Sequence, residues 1–371
     1  MDKLKKKKIL LICVSSQNVI TFRAGLIKTL LENGYDVSVV AFDNAYRREI
    51  EALGVELYCV NDSNRSMNPF RVLSLKKKYY NIIKKVQPDI VFTFMLKPNI
   101  FGVQAAKKAK VKEIYSMVEG AGDTFVYNTW KWKLVRFFVC RLYKKSFRLA
   151  RKVFFLNTDD RAEFIKRKLV KSERCELIHG VGVDTQRFAF APVKNQRVFL
   201  MIARMIKSKG IFEYCEAARA VKKKYSDAEF LYLGDEGGVT VSDIQPYIDE
   251  GSIRYLGTTR DVRPYIADCA VFVLPSYYRE GLPMSIMEAM SVGRAIITCN
   301  NIGCKETVED EYNGFLVPCR SIQRLVEKMI YCIENPDEVV RMGKNSREMA
   351  ETAFDRRLVN AKVLDVLSSE A

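Results

Sequence analysis

A-V-F-V-L-P-S-Y-Y-R-E-G-L-P-M-S-I-M-E-A-M, Ala270 to Met290, holds the reading that decides the fold. Its first residues, Ala270 to Pro275, are a short continuous apolar run, which suits a strand buried on both faces. A polar loop follows, Ser276 to Gly281. Pro283 then opens a helix through Met284, Met287, Ala289 and Met290, where its missing N–H does least harm. The segment is strand, loop, helix. Glu280 lies in the loop just ahead of the helix, and Glu288 lies within its early turns. The free N–H groups and positive dipole end of such a helix suit a diphosphate. Two carboxylates flanking that end suit hydroxyls as well, and the pair of features points to a nucleotide sugar. The same spacing also fits an ordinary βα unit with two solvated glutamates.

Working outward, the same alternation fills the chain of 371 residues. Apolar runs at Ile9–Val14, Tyr35–Ala41, Val55–Val60, Asp89–Phe94, Glu113–Val118 and Val153–Leu156 alternate with helical periodicity at 23–31, 46–53, 69–86, 99–108 and 131–150. The pattern restarts at Val198–Ile202 and continues through Ala228–Leu233, Ile253–Leu256, Val271–Leu274, Ala295–Thr298 and Gly314–Val317. Strands alternating with helices predict α/β architecture with parallel sheets. Between the halves, Gly180 to Asn195 (G-V-G-V-D-T-Q-R-F-A-F-A-P-V-K-N) reads as a linker. The expected organisation is an N-terminal domain over 1–190, a second domain over 191–350 and a terminal helix over 351–371 that returns to the first. Two doubly wound domains predict ligands at the carboxyl ends of strands, facing a central cleft.

Hydrophobic residues make up 48% of the chain, enough for two cores. The ten cysteines are scattered singly, no C-x-x-C occurs, and there is one histidine, His179. That argues against a zinc site or a disulfide framework and for a reducing compartment. Basic residues precede Ile9–Val14 as in a signal peptide, but the run is too short for a signal or a membrane span. The chain is expected not to cross a membrane. Charge is uneven. Residues 1–190 hold 37 Lys and Arg against 18 Asp and Glu, and residues 191–371 hold 24 against 26. A basic first half predicts a polyanionic partner, nucleic acid or an anionic membrane.

In M-I-A-R-M-I-K-S-K-G, Met201 to Gly210, Arg204 follows a strand and Lys209 comes just before a helix. Two cations so placed can neutralise a leaving diphosphate. With Arg204 and Lys209 added, E-x7-E after a Pro-Ser strand end resembles the signature of the retaining glycosyltransferases of family 4, which includes bacterial capsule and O-antigen sugar transferases. I-G-C-K-E-T-V-E-D-E-Y-N-G-F-L-V-P, Ile302 to Pro318, resembles the segment that follows it there. The resemblance implies the two-domain GT-B arrangement. It implies that Glu288 accepts hydrogen bonds from the ribose and Glu280 from the transferred sugar. It also implies that Gly281, Leu282 and Pro283 bring backbone N–H groups to the diphosphate beside Arg204 and Lys209.

The first half departs from that family at Ser15–Arg23 (S-S-Q-N-V-I-T-F-R), which lacks the usual glycine, and it has no histidine on the acceptor side. At the comparable strand end stands Glu119, in M-V-E-G-A-G-D. That segment, N-R-S-M-N-P-F (Asn64–Phe70) and L-K-P-N (Leu96–Asn99) are similar to the subgroup of undecaprenyl-diphosphosugar α-1,3-N-acetylgalactosaminyltransferases. By that resemblance Arg23, Arg65, Lys97 and Glu119 are acceptor-side residues, and Glu119 orients or deprotonates the acceptor hydroxyl. As a capping or hinge carboxylate it would serve the fold alone. His179, near the hinge, is expected to be structural.

Residues 131–152 form a basic helix with Val135, Phe138, Val139, Leu142 and Leu149 at helical spacing and Trp130 and Trp132 at one end. Such a helix suits an anionic membrane surface, and the same periodicity suits a core helix. No RNA motif, zinc finger or helix-turn-helix supports nucleic acid. The resemblance implies a cytoplasmic enzyme, peripheral on the inner face of the membrane. It would move an N-acetylated hexosamine from a UDP-sugar to a polyprenyl-diphosphate saccharide, with no metal or other cofactor. The alternatives are a soluble retaining transferase on a non-lipid acceptor and a UDP-sugar epimerase on the same scaffold.

Overall fold

The computed structural model describes residues 6–62, 69–126 and 129–369. The chain divides into two compact units, residues 1–181 with 360–371, and residues 182–359. In the first unit seven parallel strands are β1 (Lys8–Ile12), β2 (Asp36–Ala41), β3 (Glu56–Cys59), β4 (Ile90–Phe94), β5 (Glu113–Val118), β6 (Lys152–Phe155) and β7 (Cys175–Leu177). Their order in the sheet is β3-β2-β1-β4-β5-β6-β7. In the second unit six parallel strands are β8 (Val198–Ile202), β9 (Glu229–Leu233), β10 (Arg254–Tyr255), β11 (Val271–Leu274), β12 (Ala295–Cys299) and β13 (Gly314–Val317). Their order is β10-β9-β8-β11-β12-β13. Each is a doubly wound sheet, as the alternation predicts.

The central strands are buried from end to end. Ile9 to Ile12 in β1 and Val271 to Val273 in β11 have no exposed surface. Continuous apolar runs of this kind belong in parallel sheets covered on both faces. The strand order reverses between β1 and β4 in one unit and between β8 and β11 in the other. At such a reversal the following loops diverge to opposite faces and leave room for a ligand.

Gly180–Asn195 is not a free linker. Val183 donates to the Phe354 carbonyl at 2.8 Å, and Arg356 N–H donates to the Val183 carbonyl at 2.8 Å. Arg347 Nη1 donates to the carbonyls of Thr185 (3.1 Å) and Phe188 (2.9 Å). These bonds tie residues 182–190 to the second unit, so the division falls at Val181 rather than after residue 190. At the other end, Asn360 Nδ2 donates to Thr29 Oγ1 at 3.2 Å, and Tyr35 and Ser368 hydroxyls stand 3.2 Å apart. The division therefore falls inside the last helix, Arg356–Ser368, and not at residue 351.

Several elements went unpredicted, among them the short helices Ser16–Asn18 and Asp123–Val126, a longer helix and an edge strand. Helix Val241–Asp249 contains Pro246 and follows a glycine-rich loop, so its composition reads as turn. A capping box between Thr240 and Asp243 starts it nonetheless. Strand β7 is a three-residue edge strand without a period of its own. The basic helix spans Trp130–Phe147 and ends three residues early, at Phe147 rather than Ala150.

Candidate active site

The second unit's site lies at the carboxyl ends of β8 and β11. After β8 the chain makes a tight turn over Lys207–Lys209 and reaches Gly210 at φ +81°. A Cβ on Gly210 would stand 2.2 Å from the Pro275 carbonyl oxygen. Only glycine lets this turn press against the end of the β11 segment in that conformation. The N–H groups of Tyr277 and Tyr278 each donate to the Ser208 carbonyl at 2.9 Å. The two loops are thus clamped together, and the Lys209 ammonium forms an ion pair with Glu280. Ser276 Oγ donates to Glu280 Oε1 at 2.9 Å, and Lys209 Nζ lies 5.6 Å from the Tyr278 ring centroid. Glu280 is buried, with its charge compensated by these partners.

Arg204 sits on the same turn. A Cβ on Gly237 would stand 2.7 Å from Arg204 Cγ, so the glycine loop after β9 leaves space for the arginine stem. The guanidinium is exposed and makes no hydrogen bond or ion pair with any described residue. The loop after β12 closes the far side. A Cβ on Gly303 (φ +79°) would stand 2.6 Å from the Gly281 carbonyl oxygen and 2.7 Å from that of Glu280. Leu282 is buried, and Pro283 is the residue before the helix Met284–Val292, which begins one residue later than Pro283 suggests. Pro283 offers no side-chain acceptor, so the first N–H groups of that helix carry no side-chain cap.

Glu288 is half-buried in the second turn of this helix. Burial pushes its carboxyl up to about 7, against the opposing pull of Arg187 and Arg356. Arg356 also pairs with Asp184 at 3.8 Å. Sequence reading missed both arginines. They come from the stretch taken for a linker and from the start of the last helix, and only the stitching of Val183 to Arg356 brings them to Glu288.

In the first unit the predicted residues also gather at carboxyl ends of strands. Arg23, the last residue of the helical segment Val19–Arg23 that follows β1, is buried and forms an ion pair with Glu119, just past β5. Its guanidinium carbon lies 4.3 Å from the centroid of the Phe94 ring. Burial pulls the Arg23 guanidinium down to about 10. Lys97, just past β4, is buried and pairs with Asp62 at 3.5 Å. Ser16 and Asp43 are joined by a side-chain hydrogen bond after β1 and β2. Gly120 and Gly122 both take positive φ, and Ala121 N–H between them donates to Asp160 Oδ2 at 3.0 Å. Asp160 thus holds the loop that carries Glu119. Asp62, Asp43 and Asp160 escaped prediction because nothing local distinguishes them from surface carboxylates. Arg65 and most of Asn64–Phe70 lie outside the described residues.

Comparison with known proteins adds lineage to this geometry. Residues 8–157 match the family described as Glycosyl transferase 4-like, and residues 182–349 match Glycosyl transferases group 1. The chain is similar to the N,N'-diacetylbacillosaminyl-diphospho-undecaprenol alpha-1,3-N-acetylgalactosaminyltransferase of Campylobacter jejuni. They are 30% identical over 359 residues, which cover 92% of this chain and 93% of that one. It is also similar to the UDP-Gal:alpha-D-GlcNAc-diphosphoundecaprenol alpha-1,3-galactosyltransferase of Escherichia coli, at 26% identity over 86% of both chains. In fold it resembles the crystal structure of Anabaena Alr3699/HepE in complex with UDP and glucose. The TM-score is 0.82 at 18% identity, covering 98% of this chain and 100% of that one.

Proposed function

The chain belongs to the group 1 and 4-like glycosyl transferases, and on that premise we propose that it extends a polyprenyl-diphosphate saccharide with a sugar drawn from a UDP-sugar. The observation that carries the proposal is the Lys209–Glu280 pair, closed beside the exposed Arg204 at the carboxyl ends of β8 and β11. A cation held against a sugar-binding carboxylate serves both parts of a nucleotide sugar at once. Arg204 and Lys209 neutralise the diphosphate as the bond to the sugar breaks, where charge develops and stabilisation counts most. The uncapped N–H groups after Pro283 add to this. Glu288 receives the ribose hydroxyls, and Glu280 receives hydroxyls of the sugar. With these charges in place, the reading includes no metal and no other cofactor.

Transfer forms a bond between the acceptor oxygen and the anomeric carbon as the bond from that carbon to the β-phosphate oxygen breaks. The electron pair leaves with UDP. The acceptor proton passes to the departing phosphate oxygen on the same face, which retains the anomeric configuration. In the first unit Glu119 orients the acceptor hydroxyl, and Arg23 fixes Glu119. Lys97, held near Asp62, faces the same strand ends and contributes positive charge to the acceptor side. The donated sugar is an N-acetylhexosamine in the relative from Campylobacter and galactose in that from Escherichia by their names, and we favour the N-acetylhexosamine on the higher identity. The reaction belongs to surface-glycan assembly, on the inner face of the cytoplasmic membrane.

The test is a matrix of UDP-sugars against a synthetic short-chain polyprenyl-diphosphate N-acetylhexosamine. UDP release with a mass gain of one N-acetylhexosamine, and an α linkage by NMR, is the expected result. Isomerised donor without transfer would identify an epimerase instead. Transfer to free saccharides with none to the diphosphate-linked acceptor would remove the lipid from the reading.

A further inference from the structure

Helix Trp130–Phe147 is amphipathic in a way that its composition conceals. Val139, Tyr143, Ser146 and Phe147 are buried. Tyr143 and Phe147 pack with Phe164, whose ring centroid lies 5.3 Å from Tyr143 and 6.2 Å from Phe147. Val139, expected on one stripe with Phe138, faces the opposite way. The outward stripe runs through Trp130, Leu134, Phe137 and Phe138, then Arg141, Lys144 and Arg148, at spacings of three and four residues that keep them on one face. Trp130 is 71% exposed, and Leu134, Phe137 and Phe138 are each more than half exposed. The exposed stripe is therefore apolar over its first two turns and basic over its last two. Arg141 lies over the Phe137 ring at 5.3 Å, at the point where one character gives way to the other.

The basic end leads into a cavity of the first unit lined by Lys144, Arg148, Lys168 and Lys171 over the apolar side chains of Phe147 and Leu169. Arg174 shapes it by donating to the Arg148 and Ala150 carbonyls at 2.7 and 2.9 Å. Within this lining, Glu173 is the one acidic residue, and it pairs with Lys171 at 3.4 Å. With Arg174 five cations stand over an apolar floor against one acid, which suits an anionic headgroup that carries acyl chains. Contiguous exposed apolar residues beside them mark an interaction surface. We propose that this face is a bilayer-docking site. Trp130, Leu134, Phe137 and Phe138 enter the interfacial region, and the Lys144–Lys171 cavity holds the phosphate of an anionic phospholipid. The face then stands along the helix as a tilted wedge, apolar end in and basic end at the headgroups. The excess of cations in residues 1–190 supports an anionic rather than a neutral surface. The inference rests on the proposed lipid-borne acceptor only for why a bilayer is met at all.

The chain has two tryptophans, so Trp132→Phe leaves Trp130 as the sole reporter. On vesicles of phosphatidylglycerol and phosphatidylcholine with brominated acyl chains, Trp130 emission should shift to the blue and be quenched. Each surface cation contributes roughly a fivefold factor in binding. The combination Lys144→Gln, Arg148→Gln, Lys168→Gln and Lys171→Gln should weaken vesicle affinity by about six hundredfold before salt screening, as four such factors multiply. Leu134→Ser with Phe137→Ser and Phe138→Ser should abolish quenching while UDP affinity by calorimetry and the circular dichroism spectrum stay unchanged. Three results would overturn the proposal: no quenching on anionic vesicles, unaltered affinity in the four-cation variant, or self-association of the wild-type chain without vesicles that the triple serine variant removes. A wild-type chain that transfers to a short-chain acceptor in solution but does not bind anionic vesicles refutes this inference alone. Lost transfer with intact vesicle binding refutes the functional reading alone.

Discussion

Each unit places a cation from the segment after its first central strand against a glutamate from a loop further along the sheet, and the two pairs differ in what surrounds them. Lys209 meets Glu280 beside an exposed Arg204 that has no partner among the described residues. Arg23 meets Glu119 while buried over the Phe94 ring. The first pair can open to a ligand, because Lys209 keeps part of its surface in solvent and further positive charge stands by. The second holds its cation inside the protein, and the glutamate is the more exposed partner. Similar ion pairs on similar sheets therefore differ in surroundings, and the difference predicts a binding group in the first and a brace in the second. A buried guanidinium is costly unless paired, so removing its partner or itself disturbs the fold.

The sharpest way to break this contrast is Lys209→Ala. Transfer should slow by a hundredfold or more, the order expected on loss of one group that stabilises developing charge. Stability should fall as well, because the buried Glu280 carboxylate keeps only the Ser276 hydroxyl beside it, so transfer is compared well below the unfolding temperature of the variant. A folded variant with near-normal turnover would place Lys209 outside the chemistry. Arg23→Met asks the converse of the other pair. It leaves Glu119 unpaired against buried surroundings and should lower stability by about 2 kcal/mol in urea unfolding, at the modest end for such pairs because Glu119 retains some exposure. Unchanged stability together with a large loss of rate would make Arg23 a binding group after all.

Gly210→Ala probes why the first pair forms. At φ +81°, with a Cβ 2.2 Å from the Pro275 carbonyl oxygen, the turn must shift away from the β11 loop. A loss of roughly 1–2 kcal/mol and slower transfer at saturating donor should appear together. Stability lost without any kinetic effect would separate the clamp from the catalytic geometry. The smallest effect concerns Glu288. Its carboxyl, raised to about 7 by burial, is largely protonated below that pH and ionised above it. The ionised form accepts ribose hydrogen bonds better. Wild-type UDP affinity should exceed that of Glu288→Gln by about tenfold at pH 8, and the ratio should shrink as pH falls through 7. Taking the ratio removes the titration of UDP itself. A ratio independent of pH would show that Glu288 is not the ribose acceptor.

The proposed donor-side residues were legible because they fall in two short segments, Arg204 with Lys209 and Glu280 with Glu288, each of which follows a strand-loop-helix grammar. Pro283 marks a helix start, Glu280 and Glu288 straddle it, and Arg204 and Lys209 repeat the arrangement after another apolar strand. Local pattern encodes such features, since side-chain direction within one βα unit follows from its period. The first unit was legible only in part, since Arg23, Lys97 and Glu119 were singled out but the partners of Lys97 and of the Glu119 loop were not. Its carboxylates Asp43, Asp62 and Asp160 follow β2, β3 and β6, and only the tertiary structure brings them to Ser16, Lys97 and the Ala121 amide.

By itself the sequence determined two doubly wound α/β units, the loops at strand ends where the proposed site residues stand and the concentration of positive charge in the first half. All of these depend on residue type and on spacing within one element. Tertiary structure alone decided which charges meet, since Lys209 pairs with Glu280 and Arg23 with Glu119 across many residues of chain. It decided that Gly182–Phe190 is stitched to the second unit rather than free. It also decided that Val139 is buried while Phe138 is exposed. The periodicity of that helix allows an apolar stripe on either side, and only packing against Phe164 selects the side that turns inward.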